Sequence, residues 1–446
     1  MSDKLNVCLM NDSFPPVIDG VANVVVNYAT NISAGMGNIT VVTPDYPDAE
    51  DKYDFDVVRY KSMNITEKLC GYRAGYPFSS SKLDELAGQK FDIIHTHCPF
   101  ASGVMARVLR EKTNAPLIFT YHTKFDIDIA CALPNKLMQE IATKFIVSNI
   151  SACDEVWTVS EGAAENLRSL GFQGKSIVMP NGVDFPRGRA DKEHAMALRA
   201  FYGVPDGMPL FLFVGRLHWY KGIRLILDGL KRIYDKGIPF RMMFVGDGAD
   251  RAEIEEYAKE LGLYDVCIFT GAVFDREDLR VFYTAGDMFL FPSEYDTNGI
   301  VVREAAACGV PALLIKGSCA AEGITHGETG ILTPPDADAI AKELEFAAAH
   351  LDEIHQIGEN AMNRVYISWE DAVKRAYERY FVVLEKVRGG QSDRKEGFIS
   401  EEYFSAMDTV TTTIQRFRSI PADIRGTTEK YKRIWRMIKE ELKKDE

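Results

Sequence analysis

The chain has 446 residues, 46% hydrophobic and 26% charged, with a net charge of −13; this length predicts two or three domains with sizeable cores. The negative balance makes the surface as a whole repel nucleic acid and anionic membrane, so an anionic ligand must be held by a local cluster of cations and backbone amides. Eight cysteines without a C-x-x-C pair argue against a disulfide framework or structural zinc. The start "MSDKLNVCLMND" has no basic region followed by a long apolar run, and no stretch approaches the roughly 18 apolar residues of a spanning helix, so a cytoplasmic protein is expected.

From the N-terminus, short apolar runs alternate with helical stretches. "LNVCLM", "ITVVTP", "FDIIHTH", "LIFTYHT", "DEVWTVS" and "KSIVMP" read as buried strands, with amphipathic segments at 21–34, 101–112 and 135–151 between them. Continuous apolar strands joined by helical crossovers predict a parallel sheet covered on both faces. "PNGVDFPRGRADKEHA" carries turn signals and mixed charge, which predicts a linker near 184–195. A second series follows, "PLFLFVG", "FRMMFVG", "VCIFTG", "DMFLFPS", "VPALLI" and "GILTP", with helices near 221–236, 249–261, 276–285, 299–308 and 336–349.

The pattern predicts an α/β protein of two doubly wound domains facing each other. Ligands are then expected outside the carboxyl ends of the strands, in the cleft. The expected boundaries are 1–188 for the first domain, 189–368 for the second, a helix at 369–391 returning to the first, and a helical tail at 392–446. In the tail, Tyr431, Ile434, Trp435, Ile438 and Leu442 share one helical face, flanked by Lys430, Lys432, Arg433, Arg436 and Lys439. Such a helix docks on its own body or a partner, or lies on a membrane surface.

Two stretches carry the chemistry. "FLFVGRLHWYKGIRLIL" (211–227) reads as strand, loop and helix, with Arg216 leaving the strand and Lys221 opening the helix. A guanidinium fork and an ammonium point charge together suit a diphosphate, although alone they are equally a solvated charge pair. "DMFLFPSEYDTNGIVVREAAACGVP" repeats the pattern, with a helix opening near Gly299. The amides of Gly299, Ile300 and Val301 are then unpaired donors, an anion site. Glu304 lies one turn in, where the dipole favours a carboxylate and where it can also accept hydrogen bonds from a ribose diol.

The ordered set "FPPVIDGVANVV", "FDIIHTHCPF", "FTYHTKF", "VSEGAAENL", "VMPNGVD", "VGRLHWYKGI", "VGDGADR", "TGAV" and the two-carboxylate E-x7-E region resembles the retaining glycosyltransferases of family 4, which have the GT-B fold. The resemblance covers about residues 5–388. It implies a nucleotide-sugar donor bound mainly by the second domain, with Arg216 and Lys221 on the diphosphate and Glu304 on the ribose hydroxyls. Asn298, Gly299, Ile300 and Val301 would share the donor site, and the "TGAV" turn, through Val273, would meet the base. Gly20 would let the N-terminal loop approach the phosphates. Family members often have two glycines in that loop; here Asp19 holds the first place.

In the family, the first carboxylate of E-x7-E is usually Glu and contacts the donor sugar. Asp296 stands there in this chain, one methylene shorter, with Glu294 nearby but out of register. His122 in "TYHTKF" looks like the family's active-site histidine facing the transferring sugar. His95 and His97 point to one strand face and read as acceptor-side lining or packing. The resemblance implies no metal and no cofactor, the nucleotide-sugar being a substrate. It implies front-face substitution, since no residue stands out as an enzymatic nucleophile.

"TYHTKFDIDIACALPNKLMQEIATKFIVSNIS" is similar to the acceptor region of bacterial glucosyltransferases acting on diacylglycerol. Segment 61–90 adds Lys61, Lys68, Arg73, Lys82 and Lys90 with Tyr72, Tyr76 and Phe78. The expectation is hexose transfer, glucose from UDP-glucose, to a diacylglycerol-type lipid by an enzyme peripheral to the inner face of the membrane. A soluble sugar or polysaccharide precursor as acceptor, an inactive nucleotide-binding scaffold, and a nucleotide-sugar epimerase are the alternatives. No G-x-G-x-x-G follows the first strand, which speaks against a dinucleotide-dependent oxidoreductase.

Overall fold

The computed structural model describes residues 4–394 apart from 18, 48, 65–72, 127, 128, 130–134 and 295–298. The tail helix, Lys68, Tyr72, Asp296 and Asn298 therefore lie outside the described residues.

The first half of the chain forms β1 (Asn6–Met10), β2 (Asn38–Pro44), β3 (Asp56–Tyr60), an antiparallel pair β4 (Ser62–Asn64) and β5 (Arg73–Gly75), then β6 (Ile93–Thr96), β7 (Leu117–Tyr121), β8 (Glu155–Thr158) and β9 (Ser176–Val178). A parallel sheet runs β3-β2-β1-β6-β7-β8-β9. Its central strands are apolar along their whole length because helices cover both faces; β7 is buried at every position. The order reverses between β1 and β6, where Val7 pairs with Ile39 on one side and Ile93 on the other.

The second half forms β10 (Leu210–Val214), β11 (Arg241–Val245), β12 (Cys267–Gly271), β13 (Met288–Phe291), β14 (Ala312–Ile315) and β15 (Ile331–Thr333). They pair in parallel in the order β12-β11-β10-β13-β14-β15, reversing between β10 and β13. Phe211, Phe213, Phe244 and Phe289 are fully buried here, each contributing about 1.5–3 kcal/mol by leaving water.

Every strand read from the sequence is present, and the structure adds β3, β4 and β5. The edge strand β3 reads DVVRY and is half-buried for most of its length, so it lacks the continuous apolar run that marks its neighbours.

The helix Trp369–Arg388 belongs to the core of the first sheet. Trp369, Val373, Ala376 and Tyr380 pack with Leu9, Val24, Ile93, Ile118 and Trp157. Tyr377 accepts from the Leu5 amide at 2.8 Å and donates to the Met36 carbonyl at 2.8 Å. Arg379 grips the buried Glu155 with two hydrogen bonds of 2.9 and 2.7 Å, the planar fork matching the carboxylate. Among the described residues no helix is long and apolar enough to cross a membrane.

Candidate active site

The two reversal points are where doubly wound sheets bind ligands. In the second domain the loop after β10 lies on the loop after β13. Gly222 makes this possible: its φ is +79°, and a Cβ there would fall 2.2 Å from the Pro292 carbonyl oxygen. The loop therefore carries Lys221 to the end of β13, its Nζ 5.5 Å from the Phe291 ring centroid and 5.2 Å from that of Tyr220. Arg216, just past β10, is exposed, with no side-chain hydrogen bond or ion pair among the described residues.

Gly299 (φ +56°) starts the helix Ile300–Ala307, and no side chain caps it. The positive end of that helix faces the same reversal point. Four residues further on, Glu304 is buried. Its Oε1 accepts from Arg276 Nη2 at 2.7 Å and its Oε2 from the Tyr283 hydroxyl at 3.0 Å. A carboxylate has about four lone-pair sites, so two remain for a diol. Arg276 also covers the Phe185 ring at 4.3 Å.

The structure thus brings Arg216, Lys221, Gly299, Ile300, Val301 and Glu304 to one strand end. Val273 is half-buried beyond β12, further along the same edge of the sheet. Glu294 is exposed just past β13. Arg276 and Tyr283 were not singled out from the sequence. They lie 28 and 21 residues from Glu304, on a helix whose apolar pattern announces packing and gives no sign of which polar group turns inward.

At the reversal point of the first sheet, Gly20 opens the helix Gly20–Asn31. A Cβ at Gly20 would meet nothing within 4 Å, so packing does not require a glycine there. Asp19 is the N-cap: its Oδ1 accepts from the amides of Val21 and Ala22 at 2.8 and 2.7 Å. The residue standing in place of a second glycine thus occupies amides that an anion would otherwise use.

His122 follows β7 and is buried. Burial pushes its pKa down to about 3, against a smaller opposing pull from the Asp19 carboxylate. Its Nε2 lies 2.9 Å from Nδ1 of His97. The His97 ring in turn packs tilted against that of His95, centroids 4.2 Å apart. His95 is pinned through Nδ1 to the Tyr380 hydroxyl at 2.8 Å and through Nε2 to Thr120 Oγ1 at 2.7 Å. Among the described residues no group of three His, Cys, Asp or Glu side chains could hold a metal ion.

The two strand-end surfaces face each other. Glu322, beyond β14, accepts hydrogen bonds from the amides of Glu161 and Gly162, beyond β8, both at 2.6 Å. Gly162 lets the two loops approach: a Cβ there would fall 2.3 Å from Cys319 Sγ, so any larger residue makes that side chain shift. Loops beyond the carboxyl ends of the two sheets therefore touch.

A family model described as glycosyltransferase family 4 matches residues 18–187, and one described as glycosyl transferases group 1 matches residues 196–364. The chain is 24% identical over 412 residues to an alpha-monoglucosyldiacylglycerol synthase of Streptococcus pneumoniae, spanning 90% of this chain and 91% of that one. It is 27% identical over 335 residues to a GDP-mannose-dependent alpha-mannosyltransferase of Corynebacterium glutamicum, spanning 74% and 76%. The solved structure of Anabaena HepE in complex with UDP matches with a TM-score of 0.68 at 18% identity, over 85% of this chain and 100% of that one, a likeness of fold. The two family models flank the linker and take in β2 to β9 and β10 to β15, and the chain belongs to the family 4 glycosyltransferases, enzymes of the GT-B fold.

Proposed function

We propose that the protein transfers glucose from UDP-glucose, with retention of configuration, to a hydroxyl of a diacylglycerol-type membrane lipid. The observation that carries the lipid reading is an exposed apolar face on the first domain. On the helix Lys136–Ser151, Leu137 is 67% and Ile141 59% exposed, with Met138 also exposed. Lys136 and Lys144 border them. An amphipathic face with flanking lysines suits an anionic lipid surface. The Streptococcus pneumoniae relative, named for monoglucosyldiacylglycerol synthesis, supports the same reading.

In this reading residues 1–188 hold the acceptor and 189–368 the donor, while 369–391 ties the chain back to the first domain. The tail 392–446 would add contact with the inner face of the membrane. Arg216, Lys221 and the amides of Gly299, Ile300 and Val301 take the diphosphate and offset charge on the leaving nucleotide as the glycosidic bond breaks. Glu304 takes the ribose diol, and the turn at Val273 takes the base. Gly20 leaves room for the phosphates. Asp296, with Asn298 beside it, reads a sugar hydroxyl, and His122 faces the transferring sugar. A phosphate oxygen of the leaving nucleotide accepts the acceptor proton on the same face, so neither a protein nucleophile nor a metal is invoked. Closure of the cleft keeps water from the donor.

A second reading, a soluble sugar or polysaccharide-precursor acceptor, is favoured by the net charge of −13 and by the pairing of Lys82 with Glu85 at 2.7 Å, which weakens the basic stretch 61–90. The test is product formation from purified protein with a panel of UDP- and GDP-sugars and diacylglycerol vesicles. A glycolipid from one donor fixes both substrates, and its anomeric configuration tests retention. Slow donor hydrolysis without a glycolipid supports the soluble acceptor. No binding of any sugar nucleotide leaves a scaffold.

A further inference from the structure

The buried histidines on the acceptor side do more than fill space. His95, His97 and His122 are 0%, 2% and 8% exposed. The His97 ring is hemmed in: the His95 ring lies against it with centroids 4.2 Å apart, and the Tyr28 ring stands edge-on to it at 5.4 Å. One nitrogen of His97, Nδ1, meets His122 Nε2 at 2.9 Å. The other, Nε2, is enclosed and has no partner among the described residues.

Two neutral imidazoles 2.9 Å apart share one N–H···N bond, and two arrangements are open. If His122 donates from Nε2, His97 carries its proton on Nε2, where a buried N–H has nothing to donate to. If His97 donates from Nδ1, its Nε2 is a bare lone pair, and the one N–H of the pair left over, on His122 Nδ1, is not among the enclosed unpartnered atoms of the described residues. Orphaned buried N–H groups are rarer than under-satisfied acceptors, so the second arrangement wins.

We propose that His97 is a positioning residue that holds His122 with its proton on Nδ1, so that His122 offers the bound sugar a neutral N–H donor and not a basic lone pair. This rests on the reading of His122 as the histidine facing the transferred sugar. Its consequence is mechanistic: His122 recognises a hydroxyl oxygen and takes no proton from the acceptor, in line with a phosphate oxygen doing so.

The test uses full-length protein labelled with 15N-histidine. Two-bond 15N–1H correlation spectra distinguish protonated from bare ring nitrogens, and His122 is assigned by the signal lost in His122→Gln. The expected result is a bare Nε2 and a protonated Nδ1 in the wild type. His97→Leu is expected to release this tautomer and lower kcat about 10- to 100-fold, as loss of a supporting hydrogen bond does around other reactive groups, with donor KM within about twofold. His97→Asn, whose side-chain N–H lies near the former Nδ1, is expected to recover most of that loss. A protonated Nε2 on His122 in the wild type, or wild-type kcat in His97→Leu, overturns the assignment. The spectra read the tautomer whether or not a donor turns over, so a missing transferase activity would count against the proposed function alone.

Discussion

The carboxylate of Glu322 in the second domain sits 2.6 Å from the amide of Gly162 in the first, and equally close to that of Glu161. Both amides belong to the first turn of the helix Glu161–Ser169, so a negative charge from one domain caps a helix of the other. Charge-assisted bonds of this kind contribute about 1.5–3 kcal/mol each when enclosed, and less here because the Glu161 contact is open to water. Glu322 also offsets part of the burial that lowers the Arg303 pKa to about 10, and Arg303 is the neighbour of Glu304. The seam and the donor site are thereby linked through adjacent residues.

Glu322→Ala is expected to loosen the seam while each domain stays folded. Small-angle scattering should show a larger radius of gyration with UDP bound, and water should compete better for the donor, raising hydrolysis relative to transfer. Identical scattering and an unchanged hydrolysis ratio would remove the seam from the closing machinery.

Glu304 makes a sharper prediction. Replacing it with Ala takes the shorter acceptor from Arg276 and from the buried Tyr283 hydroxyl, leaving them Asp184 at 3.6 Å and the Val301 carbonyl at 3.4 Å, a cost of about 1–3 kcal/mol in stability, and it removes the proposed ribose contact. Transfer is expected to fall by at least tenfold, with UDP binding weakened in calorimetry and a melting temperature lower by several degrees. Lys221→Ala should lower transfer comparably with little change in melting. Arg276→Met should be milder than Glu304→Ala, because the guanidinium is 42% exposed and water can replace part of what it gives. Near-normal transfer in both Glu304→Ala and Lys221→Ala would sink the donor-site assignment.

The histidine group sets an acid limit on the fold. Burial holds the pKa values of His95 and His97 well below the ordinary 6.5, and that of His122 down to about 3. Below pH 6.5 the unfolded chain binds protons that the folded chain refuses, so stability rises with pH across this window and is lost as pH falls through it. Each such histidine contributes about 1.4 kcal/mol per pH unit, and three together remove on the order of 4 kcal/mol between pH 7.5 and 5.5. Asp12, whose carboxyl is pushed up by burial, has the opposite sign, acting between its unfolded and folded pKa values. The urea midpoint should therefore drop clearly on going to pH 5.5; a midpoint that holds steady or rises contradicts the buried neutral state.

The fold was legible because parallel strands buried on both faces must be apolar throughout, as β7 (LIFTY) and β10 (LFLFV) are. Lys221 and Glu304 were legible because strand–loop–helix patterning places them at strand ends. Arg276, Tyr283 and Glu322 were not. Their partners lie far away in sequence, and a polar side chain turning inward leaves no periodic trace. The Asp19 cap is an Asp before a helix, which sequence alone can show, but its place where a glycine would admit a phosphate hides that its carboxylate takes the helix amides instead.

The acceptor remains the point at which structure and charge pull apart, and a surface variant separates them. Leu137 and Ile141 lie one helical turn apart and are mostly in water, so their substitution costs the fold little, within about 0.5 kcal/mol. If the face enters a lipid surface, each loses a burial worth about 1.5–3 kcal/mol when complete. The double variant Leu137→Gln/Ile141→Gln is then expected to bind anionic diacylglycerol vesicles at least tenfold more weakly in flotation assays. Its hydrolysis of UDP-glucose in solution should be unchanged, because both residues lie on the first domain and the proposed donor charges, Arg216, Lys221 and Glu304, on the second. Raising salt should weaken the wild type as well, since Lys136 and Lys144 act through screened attraction. Unaltered flotation of the double variant would mean that the helix Lys136–Ser151 does not meet the lipid, and the soluble-acceptor reading would take its place.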